Sequence, residues 1–138
     1  MSAAWSWKTL RGGVSHLNGH LTLVNSTFTN NEATGTDGNP GNSGCGGAIY
    51  MDGTDEPGSL CGVQISNNRA GAIAGGLFRV SNDDTGTLAV DRSTFNANRV
   101  TADDGNAGGL YLQGLSLTIS NSALTTTAAS GSTHARSR

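Results

Sequence analysis

Three side chains with complementary chemistry follow pairs of glycines in this chain of 138 residues. The pairs begin at positions 12, 46, 75 and 108. When the residues after them are aligned, His16, Tyr50 and Arg79 fall in one column. The flanking columns are more apolar and are predicted to face inward, namely Ser15/Ile49/Phe78/Tyr111 and Leu17/Met51/Val80/Gln113. An imidazole, a phenol and a guanidinium turned outward together could bind an anion or transfer a proton. The alternative is a solvated face of ordinary polar residues.

Carboxylates concentrate in the turns after two of these segments. Asp52, Asp55 and Glu56 follow one, and Asp83 and Asp84 follow the next. Stacked turns would bring these groups together, and clustered carboxylates bind calcium or another divalent cation. Acid pairs roughly 5 to 10 Å apart also serve in glycoside hydrolysis, whereas many loop aspartates only cap turns. The sequence leaves all three interpretations open. Further acids lie in loops before the glycine pairs, at Asp37, Asp103 and Asp104.

Histidine and cysteine give weaker indications of chemistry. His16 and His20 have the spacing of metal ligands on a helix, but the LNG between them is typical of a turn. No serine lies in a Gly-x-Ser-x-Gly motif. Cys45 and Cys61 are sixteen residues apart, and in an extracellular protein they could form a disulfide. Two free buried thiols are the alternative, since the approach of the β-carbons cannot be read from spacing.

The elements that would position these residues repeat along the chain. After each glycine pair and its short apolar segment comes a second segment of alternating apolar and polar residues, as in LTLVNSTFTNN, LCGVQISNN, LAVDRSTFNAN and LTISNSALTTT. Alternation with period two is typical of half-buried strands. Repeats of this length indicate a solenoid. The sequence therefore predicts an all-β fold, a short right-handed parallel β-helix of about four coils over residues 12–127.

Stacked coils place equivalent residues one strand spacing apart, roughly 4.8 Å. Phe28, Ile65, Phe95 and Leu124 are then predicted to form one internal column. Asparagines three positions later are predicted to form a hydrogen-bonded ladder and to adopt left-handed backbone conformations, at Asn31, Asn68 and Asn98. Thr127 takes that position in the last copy, so the ladder should end there. The glycine pairs are predicted to provide a bend closed to residues with a β-carbon. The competing interpretation, a phosphate-binding loop, requires a following helix.

Two short motifs within these repeats resemble those of a known family. The GGAI at Gly46 to Ile49 and the Phe-x-x-Asn at Phe28 to Asn31 and Phe95 to Asn98 resemble the repeats of polymorphic outer membrane proteins. Those belong to the broader pectate-lyase-like right-handed parallel β-helix proteins. The resemblance implies an extracellular or cell-surface location. It is compatible with functions from adhesins to polysaccharide lyases and hydrolases.

Composition narrows the class of protein. Eight basic and ten acidic residues give a net charge of −2, which does not favour nucleic acid or anionic membranes. No apolar run is long enough for a transmembrane segment, and the first residues do not have the pattern of a signal peptide. We expect a single domain over residues 1–138 with an unstructured tail over residues 128–138. The chain is expected to be a fragment or truncated relative of a longer β-helix.

The ends of a short solenoid expose strand edges and apolar side chains. Trp5 and Trp7 are expected to cover one end, with stacking on sugars as the alternative role. The other end is predicted to pair with a second copy, most simply as a homodimer through Leu117, Ile119 and Leu124.

Two classes of function remain open at this stage. The first is a surface or secreted module that binds carbohydrate or another protein along a flat face and requires no cofactor. The second is a carboxylate- or metal-dependent hydrolase or lyase acting on sugar or phosphate esters. It would use the acidic turns or the His16, Tyr50 and Arg79 column.

Overall fold

The computed structural model describes residues 4–5, 8–9, 12–36, 43–53, 55–102 and 105–125. These ranges contain strands, bridges, turns and loops but no helix. The described residues therefore include no helix that could cross a membrane. The prediction of an all-β protein is confirmed.

Short strands account for the regular structure, and successive turns of the chain carry them in the same order. The first nine are β1 (Ala4–Trp5), β2 (Lys8–Thr9), β3 (Val14–Leu17), β4 (Leu21–Val24), β5 (Thr27–Thr29), β6 (Glu32–Ala33), β7 (Ile49–Asp52), β8 (Gly58–Cys61) and β9 (Gln64–Ser66). The others are β10 (Arg69–Ala70), β11 (Leu77–Val80), β12 (Thr87–Asp91), β13 (Thr94–Asn96), β14 (Arg99–Val100), β15 (Leu110–Gln113), β16 (Ser116–Ser120) and β17 (Ala123–Thr125).

Four parallel sheets result because each strand pairs with its equivalent one coil away. Sheet A has the order β1-β5-β9-β13-β17, sheet B β14-β10-β6-β2, sheet C β15-β11-β7-β3, and sheet D β16-β12-β8-β4. A complete coil therefore runs through sheets C, D, A and B, four strands instead of the two segments visible in the sequence. The fold is a short parallel β-helix, as predicted.

Alternate side chains of sheets C, D and A fill the interior. The predicted column of Phe28, Ile65, Phe95 and Leu124 is confirmed by the pairing of β5, β9, β13 and β17. Phe28, Ile65 and Phe95 are buried in the main core, whereas Leu124 at the last described coil is 41% exposed. Inward residues of sheets C and D complete this core, among them Ile49, Leu77, Leu60, Leu88 and Val90.

The predicted asparagine ladder is also confirmed. Asn68 Oδ1 accepts hydrogen bonds from the backbone N of Asn31 at 2.9 Å and from its Nδ2 at 2.8 Å. Asn98 Oδ1 accepts the equivalent pair from Asn68 at 3.1 and 2.9 Å. The left-handed conformation, however, belongs to the residue before each ladder asparagine, at Asn30, Asn67 and Ala97. The expected end of the ladder at Thr127 lies outside the described residues.

The predicted bend at the glycine pairs is confirmed in two coils, and the pairs have a second role. Positive φ falls on the first glycine of the pair at Gly12 and Gly46, but on Ala74 and Ala107, one residue before the pair, in the later coils. A β-carbon at Gly47 would lie 2.1 Å from the carbonyl oxygen of Gly75, and one at Gly75 would lie 2.3 Å from that of Arg99. The backbones of successive coils therefore approach so closely at the glycine pairs that a β-carbon would not fit.

The first described strands continue the stack at one end. Ala4 and Trp5 pair with Thr27 and Phe28, so Trp5 occupies the register position of the internal Phe28 column. Its main chain adds a strand to sheet A instead of folding across the end. Trp7 and the tail over residues 128–138 lie outside the described part of the chain.

Candidate functional site

The strand register divides the predicted His16, Tyr50 and Arg79 column. His16 pairs with Met51, and Arg79 pairs with Met51 and Leu112. Tyr50 instead pairs with Ser15 and Phe78. The prediction that these three residues lie one above another on an outward face is therefore wrong. Arg79 and Tyr50 are on opposite faces of sheet C, because successive strand residues point to opposite sides.

One additional residue in the second coil explains the shift. The backbone N atoms of Ala48 and Ile49 both donate to Gly76 O, and those of Gly13 and Val14 both donate to Ala48 O. Ala48 therefore occupies the position of the second glycine in the other coils. The strand after Gly46-Gly47 begins one residue later than a direct alignment of the glycine pairs predicts.

Tyr50 lies in an aromatic stack on the outer face of sheet C. Its ring centroid is 5.2 Å from that of Phe78, which is 5.3 Å from that of Tyr111, and each pair is within 7° of parallel. Cys45 and Ala74 pack in the same cluster, and Tyr50 and Phe78 are buried. The Tyr50 hydroxyl donates to Asp52 Oδ2 at 2.7 Å. Asp52 is thereby used to bind a tyrosine of its own strand.

Arg79 is buried inside the solenoid. Its side chain is inward like that of Met51, and it has no solvent exposure. Nη2 donates to the carbonyl oxygen of Glu56, while Nε has no hydrogen-bond partner among the described residues. Burial lowers the pKa of Arg79, and the charge of Asp55 partly opposes this. Arg79 therefore binds the turn between sheets C and D from the interior of the solenoid and is not accessible to a ligand.

The acidic turns meet as predicted, but through hydrogen bonds to neighbouring hydroxyls. Ser81 Oγ lies 2.6 Å from Asp55 Oδ1 and 3.3 Å from Asp83 Oδ1. Asp83 Oδ1 also accepts hydrogen bonds from the hydroxyl and the backbone N of Thr85. These bonds, those of Thr85 foremost, lower the pKa of Asp83 to about 2. Asp83 is therefore an ionised turn residue at neutral pH.

The remaining predicted residues do not extend this pair. Asp84 is exposed and has a positive φ, and Glu56 contributes its backbone oxygen to Arg79. Over the described ranges, no three His, Cys, Asp or Glu side chains form a group that could hold a metal ion. The calcium or other divalent cation expected at Asp52, Asp55, Glu56, Asp83 and Asp84 stays a prediction. Asp37, Asp103 and Asp104 lie outside the described residues.

Cys45 and Cys61 do not form a disulfide; both are free thiols. Cys45 is buried against the aromatic stack. Cys61 is partly exposed on sheet D, where its Sγ lies 2.9 Å from Nη2 of Arg92. The two histidines are also separately engaged, His16 with Gly19 O at 3.1 Å and His20 with Thr22 Oγ1 at 2.9 Å.

A cleft at the junction of sheets A and B was not predicted. We name it the A–B cleft; it has a volume of about 300 Å³ and is lined by Asn30, Asn31, Asn67, Arg69 and Arg99. Arg69 Nη2 pairs with Glu32 Oε2 at 2.7 Å. The Arg99 guanidinium makes no hydrogen bond or ion pair with the described residues, although its strand position is equivalent to that of Arg69.

A sequence signal for this cleft exists. A charged residue directly follows each ladder asparagine, in Asn31-Glu32, Asn68-Arg69 and Asn98-Arg99. Because the asparagine points inward at the corner, the next side chain points outward on sheet B. Applying the alignment of the ladder to the residue after each asparagine would have predicted one exposed column of Glu32, Arg69 and Arg99.

No family model, curated protein or solved structure matches this chain. The resemblance of its repeats to those of polymorphic outer membrane proteins therefore stays a prediction.

Proposed function

We propose that this chain is a non-catalytic binding module of a secreted or cell-surface protein, adhesin-like in that it holds carbohydrate or another protein against its outer surface. The binding surface is the outer face of sheets A and B, including the A–B cleft. The secreted or surface location rests on the family resemblance alone.

The observation that carries the proposal is the in-register polar face of sheet A. Its outward positions form two rows across the coils, Thr27/Gln64/Thr94/Ala123 and Thr29/Ser66/Asn96/Thr125. Short hydroxyl and amide side chains spaced by one strand separation, roughly 4.8 Å, make a flat surface of donors and acceptors. Such a surface can form many hydrogen bonds with an extended ligand without a catalytic group.

The alternative, a carboxylate- or metal-dependent hydrolase or lyase, lacks a comparable observation. The His16, Tyr50 and Arg79 groups that would share an active site point to different sides of sheet C. A general acid should have a pKa near the working pH, and that of Asp83 is about 2. Asp83 therefore holds no proton to donate at neutral pH.

The test is a binding screen with a surface block. The labelled chain is applied to arrays of glycans and of extracellular proteins, and the variants Asn96→Trp and Ala89→Trp are compared on the positive spots. Both positions are exposed strand residues, on sheets A and D respectively. We expect Asn96→Trp to weaken binding about tenfold, or about 1.4 kcal/mol, and Ala89→Trp to retain it. Equal loss in both variants, no ligand in either array, or conversion of a ligand to products would contradict the proposal.

We also propose that two copies associate through the last described coil. Leu117, Ile119 and Leu124 occupy inward columns but are 37, 42 and 41% exposed. Apolar side chains in this arrangement are stabilised by contact with a second apolar surface, and a two-fold axis would supply an identical one. Light scattering at micromolar concentration should give the mass of a dimer. Ile119→Lys should give a monomer, and Thr118→Lys on the outward face should not. A monomeric unmodified chain would rule out this association.

A further inference from the structure

We propose that the A–B cleft binds the carboxylate side chain of an acidic, extended segment of a partner protein, with Arg99 as the charged contact and Asn67 as a neutral one. This inference rests on the proposed function, because it assigns one ligand class to one part of the proposed surface.

An ion pair within the chain shows the geometry expected for this contact. Glu32, Arg69 and Arg99 are register partners on successive strands of sheet B. The Glu32 carboxylate reaches Arg69 one coil away at 2.7 Å. Arg99 lies one coil further along the same column, with a guanidinium of the same kind. A ligand carboxylate beside Arg99 would repeat the Glu32–Arg69 geometry, and a guanidinium can bind a carboxylate through two parallel hydrogen bonds.

Arg99 differs from the other arginines in the described ranges. Arg69 pairs with Glu32, and Arg79 donates to a buried carbonyl oxygen. Arg92 bonds to Asp91 and Cys61. Only the Arg99 guanidinium has no partner within that part of the chain. A cation beside a cleft with no partner among the described residues can bind an external anion.

Asn67 supplies the neutral part of the site. Its backbone is held in the left-handed conformation at φ 56° and donates to Asn96 O at 3.0 Å. Its side-chain amide makes no hydrogen bond with the described residues, so its donors and acceptor remain for a ligand. The backbone bond fixes the position of this amide beside the cleft, which reduces the entropy lost when a ligand binds.

The composition of the cleft favours a protein ligand over a sugar. None of its five lining residues is aromatic, so it provides no ring on which a sugar could stack. A carboxylate on a flexible side chain requires only the guanidinium and an adjacent amide. In an extended segment alternate residues point to one side, so a Glu-x-Glu pattern turns its carboxylates toward sheet B together.

The contact is exposed, so the affinity of one short peptide should be low, with a Kd on the order of 1 mM. Amide chemical shifts detect binding in this range. The ¹⁵N-labelled full chain is titrated with the peptide Ac-Thr-Glu-Thr-Glu-Thr-NH₂ and with its glutamine analogue. We expect shifts at the amides of Asn67, Arg69 and Arg99 with the glutamate peptide only. Added salt should weaken the interaction because it screens exposed charges.

Two variants separate the site from general charge effects. Arg99→Gln should weaken binding about fivefold or more, while Arg92→Gln, which removes one arginine from the turn after β12, should leave it unchanged. Retained dispersion of the amide spectrum shows that each variant is folded. The proposal is overturned if the glutamine peptide binds equally well or if Arg99→Gln has no effect. It is also overturned if a glucuronate oligosaccharide binds at Arg99 more tightly than the peptide.

Failure here can be distinguished from failure of the proposed function. If array binding persists and is blocked by Asn96→Trp while the peptide does not bind, the module stands and this ligand class is wrong. If the peptide binds at Arg99 but no array ligand depends on Asn96, the cleft stands and the broader sheet A surface is wrong.

Discussion

Arg79 is a buried cation in an apolar column, between Met51 and Leu112. Removing a guanidinium from water has a large cost that is recovered only when its donors are bonded. Arg79 bonds the Glu56 carbonyl oxygen, but its Nε is unpartnered within the described residues. We therefore expect Arg79 to reduce the stability of the fold while it fixes the position of the turn above it.

Replacing Arg79 by methionine tests this expectation. The side chain stays long and unbranched like that of the neighbouring Met51, while the buried charge is removed. We expect the free energy of unfolding to rise by about 1 to 2 kcal/mol, measured by urea denaturation. A loss of stability instead would show that the bond to Glu56 and the attraction to Asp55 outweigh the cost of burial.

Asp83 gives the protein a stability that depends on pH. Its pKa in the folded chain is about 2, below the ordinary value of 3.8, chiefly because of the hydrogen bonds from Thr85. A depressed carboxylate pKa stabilises the folded state fully above the unfolded value, and this stabilisation is lost as the pH falls through the folded value. We expect the loss between about pH 4 and pH 2.

The variant Asp83→Asn should be less stable than the unmodified chain at neutral pH and should show a shallower decline over that acid range. Asp84→Asn, in the same exposed turn, is the matched control and should follow the unmodified chain. Unfolding by urea at a series of pH values makes the comparison. Parallel stability curves for the unmodified chain and Asp83→Asn would be inconsistent with this role.

At the scale of the strands, the close approach of successive coils depends on glycine. A methyl group at Gly47 would meet the Gly75 carbonyl oxygen at 2.1 Å, whereas at Gly108 the nearest atom, Asn98 O, is 3.2 Å away. Gly47→Ala should cost about 1 to 3 kcal/mol because backbone atoms must separate. Gly108→Ala should change the stability by less than about 1 kcal/mol. Similar melting temperatures for the two variants would mean that the coils are not this close at Gly47.

The asparagine ladder joins three coils through one buried side chain. Asn68 donates to Phe28 O at 3.0 Å in the coil on one side and to Asn98 Oδ1 at 2.9 Å on the other. Asn68→Ala would remove these two bonds and the two that Asn31 donates to Asn68 Oδ1, so we expect a loss of about 3 kcal/mol. Asn106→Ala is the control and should cost little, because the Asn106 side chain makes no such bonds with the described residues. Equal losses, measured by thermal denaturation, would contradict the ladder.

Sequence patterns predicted the elements better than the site. In each coil the ladder asparagine follows the residue of the Phe28 column by three positions. Because this spacing is constant, the register of sheet A could be predicted from the sequence. The register of sheet C did not, because Ala48 replaces a glycine in the second coil and moves Tyr50 by one position. One such shift turns a side chain to the opposite face of a strand. The predicted catalytic column therefore disappeared while the fold was correct.

At the scale of the whole molecule, function depends on which side chains the stacked coils bring to one surface. The A–B cleft unites residues from three coils, and the Glu32–Arg69 pair joins positions 37 residues apart. The charged residue after each ladder asparagine indicates such a site only when the coil spacing and the direction of each side chain are also taken into account. The same stacking removes Arg79 from the surface and buries Tyr50 in an aromatic stack.

The most direct test is the register of sheet C, because it places Tyr50 on the face of the sheet opposite to His16 and Arg79 and so divides the predicted catalytic column. Nuclear Overhauser effects between aromatic ring protons in solution measure it. The structure predicts strong effects between Phe78 and both Tyr50 and Tyr111, whose ring centroids lie 5.2 and 5.3 Å from that of Phe78. Effects from Phe78 to Ile49 in place of Tyr50, together with contacts between His16 and the Tyr50 ring, would restore the catalytic column and contradict the account.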